Sequence, residues 1–262
     1  MSDIKLERDG HVATVTLNRP ERMNTISQDM LSAMSEALLT CDNDPSIRAI
    51  ILTGEGRAFS AGLDLNDAAS NEGISRGGFE LGVKLDLRAF PPSVLYHLDK
   101  PTICALNGAA AGFGLDLALA CDIRVAARRA KLSAAFAKRG ILPDGGGTWH
   151  LPRLLGWAKA AEIVLTGKTL NAEECLELGL VNMVVDDDAL MASAMALARE
   201  AAACAPLAAQ SAKRMMRAGL QEGFDEHVER VYLQVLRIIQ SRDFKEGYTA
   251  FLEKREPEFI GE

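Results

Sequence analysis

Two glycine-bearing stretches, residues 60–65 (SAGLDL) and residues 107–117 (NGAAAGFGLDL), each follow a strand-like run and lead toward helical sequence. Turns of this kind aim backbone N–H groups outward. Two of them converging on one point make an oxyanion hole, which stabilises the negative oxygen of an enolate or a tetrahedral intermediate. Gly62, Gly112 and Gly114 serve equally well for tight turns or close helix packing, so either stretch alone leaves both readings open. A dinucleotide loop fits less well: the glycine spacing in residues 108–114 is not G-x-G-x-x-G, and no acidic residue ends a second strand about 20 residues on. Neither a G-x-S-x-G elbow nor a Walker sequence is present.

The elements that would position such loops are legible on either side. Residues 12–17 (VATVTL) alternate like a half-buried strand, and residues 49–53 (AIILT) form the short apolar run of a strand covered on both faces. Between them Leu31, Met34 and Leu38 recur at helical spacing. Residues 102–106 after Pro101 read as a further strand, residues 115–121 as a helix apolar on most faces, and residues 123–126 as another strand. Strand and helix units in alternation imply an α/β layer fold.

Beyond residue 157 the pattern turns helical. Asn171 and Glu174 have capping-box spacing, Gly179 is placed to end that helix, and Asp187 is placed to cap a helix carrying Leu190, Ala194 and Leu197. Phe224, Val228, Val231, Val235 and Ile238, widened by Tyr232, Leu236 and Ile239, form an apolar face broad enough to require burial against the first domain, another subunit, or both. The chain accordingly divides into residues 1–203 and a helical region, 204–262. Residues 66–92, rich in glycine and proline signals, read as a mobile loop and helix over a pocket.

Composition sets the limits. With 48% hydrophobic and 25% charged residues, 262 residues bury a full core as one large or two intimate domains. A formal charge of −7 makes nucleic acid a poor partner. The charged N-terminus has no signal-peptide core, and the apolar runs fall short of the roughly 20 residues of a membrane span, so the expectation is a cytoplasmic protein without membrane association. Cys41, Cys104, Cys121, Cys175 and Cys204 are scattered without a C-x-x-C pair and read as reduced, buried thiols; neither they nor the four histidines make a metal pattern.

Several motifs in order give the chain a family resemblance: residues 17–20 (LNRP) with Asn24, 59–64 (FSAGLD), Asn107 and Gly108 with Ala110 and Gly112, 121–123 (CDI), 140–148 (GILPDGGGT), 165–167 (LTG), and 172–174 (AEE) with 179–181 (GLV). Together they resemble the enoyl-CoA hydratase/isomerase family, the crotonases, from about residue 10 to the 251–255 ending (FLEKR). The run 135–153 looks especially like its 1,2-epoxyphenylacetyl-CoA isomerase branch. The resemblance implies a crotonase-like spiral of ββα units with a C-terminal helical trimerisation region, often assembled as hexamers. It also implies an acyl-CoA thioester as substrate and no permanently bound cofactor.

The same resemblance assigns the oxyanion donors to the backbone N–H groups of Leu63 and Phe113, with Gly62 and Gly112 shaping the pocket. Arg22 and Arg57 are then expected near the nucleotide of CoA, the backbone of Ala61 and Leu65 at the adenine, and Lys254 at the phosphates of a neighbouring subunit. Solvated surface charge is the plainer reading of each cation. Hydratases of this family carry two glutamates at positions that here hold Asp116 and Phe136. Asp116 is one methylene shorter than Glu, and Phe136 transfers no proton.

A compensating carboxylate, Asp144, stands eight residues after Phe136, where related isomerases and dehalogenases have a functional aspartate. One carboxylate suffices to move a double bond, because it takes a proton from one carbon and returns it to another. Phe136 then acts as a wall that excludes water. The plainer readings are an N-cap for Asp144, a first-turn acid on the helix dipole for Asp116, and local hydrogen bonding for Asp64. Trp149 and His150, on the following helix, read as packing residues. The expected function is thus an acyl-CoA isomerase. The alternatives are an enoyl-CoA hydratase using Asp116 and a non-catalytic acyl-CoA-binding protein.

Overall fold

In the computed structural model, which describes residues 2–64 and 90–262, two sheets are wound together by one repeating connection. The larger sheet holds β1 (Ile4–Asp9), β2 (Val12–Leu17), β3 (Ala49–Gly54), β5 (Thr102–Leu106), β7 (Ile123–Ala127) and β10 (Met183–Val185), in that spatial order. The smaller sheet holds β4 (Ala58–Ser60), β6 (Ala109–Ala111), β8 (Lys131–Ser133) and β9 (Thr169–Asn171). β1 runs antiparallel to β2 and β9 antiparallel to β8; the other pairings are parallel. Each turn of the spiral lays one strand in the larger sheet and a three-residue strand in the smaller one. Helices then return the chain: α2 (Pro91–His97) after the β3–β4 turn and α3 (Phe113–Ala120) after β5–β6.

Alternation along the parallel strands explains why both sheet faces are covered. Ile50, Leu52, Cys104 and Leu106 point into the cluster built on Met30, Met34 and Leu38 of α1 (Gln28–Asn43). Ala49, Ile51, Ile103 and Ala105 point the other way, onto Leu190, Ala194, Ala198 and Ala202 of α7 (Leu190–Ala203). The intervening helices are α4 (Gly147–Leu155), α5 (Trp157–Thr166) and α6 (Ala172–Glu177). On α7 the buried stripe recurs every fourth residue and is mostly alanine, so the helix lies close against the sheet.

The expected capping box is present: Asn171 Oδ1 accepts from the Glu174 N–H at 2.9 Å, and Glu174 Oε2 accepts from the Asn171 N–H at 2.8 Å. Gly179 takes φ +74° just after α6. Asp187 behaves differently from expectation. It opens a short 3₁₀ turn (Asp187–Ala189), and its carboxylate accepts from the Arg129 N–H at 3.1 Å, leaving α7 without a side-chain cap. Four cysteines are buried as expected, but Cys204 is exposed, just past the end of α7.

The C-terminal helices are α8 (Pro206–Gly219), α9 (Phe224–Ile238) and α10 (Arg242–Glu253). Among the described residues much of the broad apolar face of α9 is left uncovered: Phe224 is 80% exposed and Tyr232 63%. Phe251 on α10 is 80% exposed as well. Among the described residues no single helix is long and apolar enough to cross a membrane.

Candidate active site

The two glycine loops meet because their strands are neighbours. β4 and β6 pair in parallel, so both chains leave the smaller sheet at the same end. Two buried asparagines hold the approach. Asn24 Nδ2 donates to the carbonyls of Ala58 (2.8 Å) and Glu55 (3.0 Å), and Asn107 Nδ2 donates to Gly56 O (2.9 Å) and Ala58 O (3.1 Å). The backbones then come so close that side chains are excluded. A Cβ on Gly62 would lie 2.8 Å from Ala111 O and 3.5 Å from Phe113 N, and one on Gly114 2.5 Å from Ser60 O.

Hydrogen bonding orients the two amides named by the sequence. Ile26 N–H donates to Gly62 O at 2.8 Å and Asp64 N–H donates to Ile26 O at 2.9 Å, a single parallel rung that turns the N–H of Leu63 away from Ile26. Gly62 N–H is taken by Ser60 Oγ (3.2 Å) and Gly112 N–H by Ser133 O (3.0 Å). Gly112, at φ +54°, caps α3, so Phe113 N–H is the first free amide at the positive end of that helix. Neither Leu63 N–H nor Phe113 N–H has an acceptor among the described residues. Both residues line one cavity of about 500 Å³, together with Gly62, Gly112, Phe136 and Asp144.

The two carboxyls proposed for proton transfer separate. Asp144 is exposed to this cavity and takes no hydrogen bond from another described residue, and partial loss of hydration within the cavity wall raises its pKa. It caps no helix: α4 begins at Gly147 behind Gly146. Asp116 on α3 is fully buried and does not line the cavity. Its Oδ2 accepts from Gly145 N–H at 2.8 Å while Oδ1 has no hydrogen-bond partner among the described residues, and burial pushes its pKa up to about 7, against the lowering effect of the Gly145 and Gly147 amides and with the Asp144 charge adding to the rise. Any side chain at Gly145 or Gly147 would collide with this carboxyl. Asp116, which the hydratase alternative uses for its water contact, is not among the described residues that line the cavity; its short side chain is bonded to the loop that presents Asp144. Phe136, 4% exposed, forms an apolar wall.

The expected CoA contacts are placed unevenly. Arg22 and Ala61 line the cavity. Arg57 and Lys254 do not; Arg57 is exposed, its carbonyl packed against Gly108, and Lys254 sits at the C-terminal end of α10 with φ +58°. Leu65 and most of the segment 66–92 lie outside the described residues. Asp64 behaves as the local hydrogen-bonding reading expects, accepting from Arg19 (3.1 Å), Arg22 (3.3 Å) and Thr25 (3.4 Å). Arg139, at the end of the turn Ala137–Arg139, also lines the cavity. Sequence reasoning missed it, although the Lys138–Arg139 pair just before Gly140 was a readable signal. Trp149 and His150 also depart from expectation, since both line a second cavity on the other side of Asp144.

Residues 7–262 match the enoyl-CoA hydratase/isomerase family model. The chain belongs to that family. Its members include the 1,2-epoxyphenylacetyl-CoA isomerase of Escherichia coli (strain K12), 42% identical over 254 residues that cover 95% of each chain. The carnitinyl-CoA dehydratase of Salmonella heidelberg (strain SL476) is 40% identical over 267 residues, covering 98% of each. Among solved structures, the enoyl-CoA hydratase of Bacillus anthracis superposes with a TM-score of 0.91 at 33% identity, covering all of both chains. The fold is thus the crotonase-like ββα spiral, and the chain is an enoyl-CoA hydratase/isomerase family enzyme rather than a non-catalytic relative. In this family member Leu63, Phe113, Phe136 and Asp144 line one cavity.

Proposed function

We propose that the enzyme is an acyl-CoA isomerase that shifts a double bond, or carries out a related isomerisation, through a thioester enolate. The supporting observation is Asp144: a carboxyl facing the cavity of the two free amides, without a hydrogen bond from any other described residue, while the other aspartate there, Asp64, is engaged by two arginines. In this reading the Leu63 and Phe113 N–H groups hold the thioester oxygen. Asp144 removes a proton beside the carbonyl, the electron pair spreads onto that oxygen, and the carboxylic acid so formed returns the proton to a different carbon. Each preorganised donor contributes about 3 kcal/mol at the transition state. A raised Asp144 pKa brings the acid and its conjugate base closer to equal use near neutrality.

Arg22 and Arg139 at the cavity and the Ala61 and Leu65 backbone are assigned to CoA, and Lys254 to the CoA of an adjoining subunit. The exposed apolar faces of α9 and α10 supply the contact for a homo-oligomer, a trimer or a dimer of trimers, with residues 204–262 as the assembly region. The hydratase alternative draws support from the dehydratase and hydratase relatives, but it needs a second group on the water, and Phe136 and the buried Asp116 provide none. Incubation with 2-enoyl- and 3-enoyl-CoA separates the readings. Isomerisation interconverts the two thioesters, whereas hydration bleaches the conjugated absorbance and yields a hydroxyacyl-CoA. Hydroxyacyl-CoA as the main product would overturn the isomerase assignment.

A further inference from the structure

Arg124, on β7, carries a buried charge that forms no ion pair with a described residue. It is 5% exposed, and its guanidinium donates to backbone carbonyls, from Nε to Leu180 O at 2.6 Å and from Nη1 to Cys121 O at 2.7 Å. Nη2 has no acceptor among the described residues. Carbonyls satisfy donors but leave the charge in place, and a buried charge is ordinarily met by an anion. Burial draws the Arg124 pKa down, the mark of a cation short of counter-charge.

Arg124 lines a cavity of about 220 Å³ together with Arg153 and Arg217. Rings and carbonyls brace those two guanidinium groups. Arg153 lies 4.1 Å from the centroid of the Trp149 ring and donates to Trp149 O at 3.1 Å; Arg217 lies 5.0 Å from that of Tyr96 and donates to Leu98 O at 3.0 Å. Arg153 forms no ion pair with a described residue either. The one acid in the lining, Asp122, is already engaged: its Oδ2 meets Lys213 Nζ at 2.5 Å and accepts from the N–H and hydroxyl of Thr102 at 2.8 Å each, while Oδ1 reaches Arg217 only at 3.5 Å. Asp122 and Lys213 offset each other, which leaves three guanidinium charges on one small cavity. His150, on the same wall, feels their field: burial first, then Arg124, Arg153 and Arg217, hold its pKa down to about 4.

The remaining wall is largely apolar, with Leu119, Leu154 and Leu220 beside the Tyr96 and Trp149 rings. Guanidinium forks match a carboxylate in geometry as well as charge. Inorganic phosphate would meet the forks but leave the leucines wet. We infer that this cavity is a binding site for a small organic carboxylate, its charged end held by Arg124, Arg153 and Arg217 and its short alkyl body laid against Leu119, Leu154 and Leu220. Leu63, Phe113 and Asp144 do not line it, so the site is separate from the cavity of the two backbone donors and independent of the isomerase reading.

The test titrates the full-length enzyme with sodium pentanoate, inorganic phosphate or chloride at one ionic strength. Binding is followed by calorimetry and by the NMR signals of the His150 ring, assigned with His150→Phe. Pentanoate should bind once per chain, shift the His150 signals, and bind about tenfold more tightly than phosphate, the scale of two buried CH₂ groups. Arg153→Gln and Arg217→Gln should each weaken pentanoate binding about tenfold, as loss of one charge-assisted hydrogen bond does. Arg128→Gln, which removes an exposed arginine paired with Glu173 outside the cavity, should leave it unchanged. Circular dichroism checks that each variant is folded. Absent binding, phosphate or chloride binding as tightly as pentanoate, or an equal loss in Arg128→Gln would overturn the assignment. Loss of α-proton exchange in Asp144→Asn is a separate observation, and the two proposals fail independently.

Discussion

Asp116 Oδ2 accepts a 2.8 Å hydrogen bond from the backbone N–H of Gly145, the residue that follows Asp144. A fully buried acid outside the cavity thus holds the loop that carries the cavity-facing one. In the proposed mechanism Asp116 acts by positioning that loop. Asp116→Asn keeps an acceptor for Gly145 and should retain most activity, within about tenfold. Asp116→Ala frees the loop and should lower kcat by about a hundredfold, the scale of a 1 Å misplacement, with a smaller change in KM. Equal losses in the two variants, measured by steady-state kinetics, would contradict the role.

The same buried acid makes stability depend on pH. Burial lifts Asp116 from 3.8 to about 7, so between those values the folded chain keeps a proton that the unfolded chain releases. Stability therefore falls as pH rises from about 4 to about 7 and levels off above that, a loss of several kcal/mol at about 1.4 kcal/mol for each pH unit crossed. Asp144, also raised, contributes with the same sign. Urea unfolding midpoints at pH 5 and pH 8 should differ in the wild type and converge in Asp116→Asn. A variant with an unchanged difference would assign the effect elsewhere.

Gly62 and Gly140 both take positive φ, +100° and +72°, but only Gly62 faces a crowded neighbour. Gly140→Ala should cost about 1–2 kcal/mol of stability and little activity, the ordinary penalty of a left-handed side chain. Gly62→Ala drives a Cβ against Ala111 O and must displace the amide of Leu63. Its kcat should fall by about 10²–10³, the cost of losing one oxyanion donor. Comparable activity in the two folded variants would argue against the donor assignment.

In the proposed mechanism Phe136, buried in the cavity wall, excludes water. Phe136→Glu puts a carboxyl where the family resemblance implies a hydratase glutamate and should turn part of the product to hydroxyacyl-CoA, read by chromatography of the thioesters. The charge enters a buried wall, so a loss of about 1–3 kcal/mol in stability is expected alongside. A variant that stays folded and active but yields no hydrated product would remove Phe136 from the choice of reaction.

The proposed homo-oligomer rests on the exposed apolar faces of α9 and α10. Tyr232→Glu combined with Leu236→Glu should shift the sedimenting species from an oligomer to a monomer at micromolar concentration. Sedimentation at the monomer mass for the wild type would refute an oligomer built on this face.

Much of this architecture is readable in the sequence. Hydrophobic runs mark β2, β3, β5 and β7, the capping box marks α6, and the glycine loops mark where amides have to lie close. The three-residue strands β4, β6, β8 and β9 are not readable, because so few residues carry no period. Asp187 cannot be told from a cap, since its actual acceptor role toward Arg129 N–H crosses between distant turns. Asp116 misleads for a related reason: its place on the first turn of α3 is legible, but the backbone of Gly145, 29 residues on, decides which way its carboxyl faces. Trp149 and His150 look like packing residues because helical spacing says nothing of the cavity on their far side.

Proton transfer by Asp144, with the Leu63 and Phe113 amides holding the enolate, is the centre of the proposed mechanism. It is tested most directly by α-proton exchange into deuterated water with a turned-over acyl-CoA, comparing wild type with Asp144→Asn at matched CoA-thioester occupancy. The variant should bind the thioester with unchanged affinity and lose exchange by at least about a thousandfold. Exchange at the wild-type rate in the folded variant would contradict the mechanism.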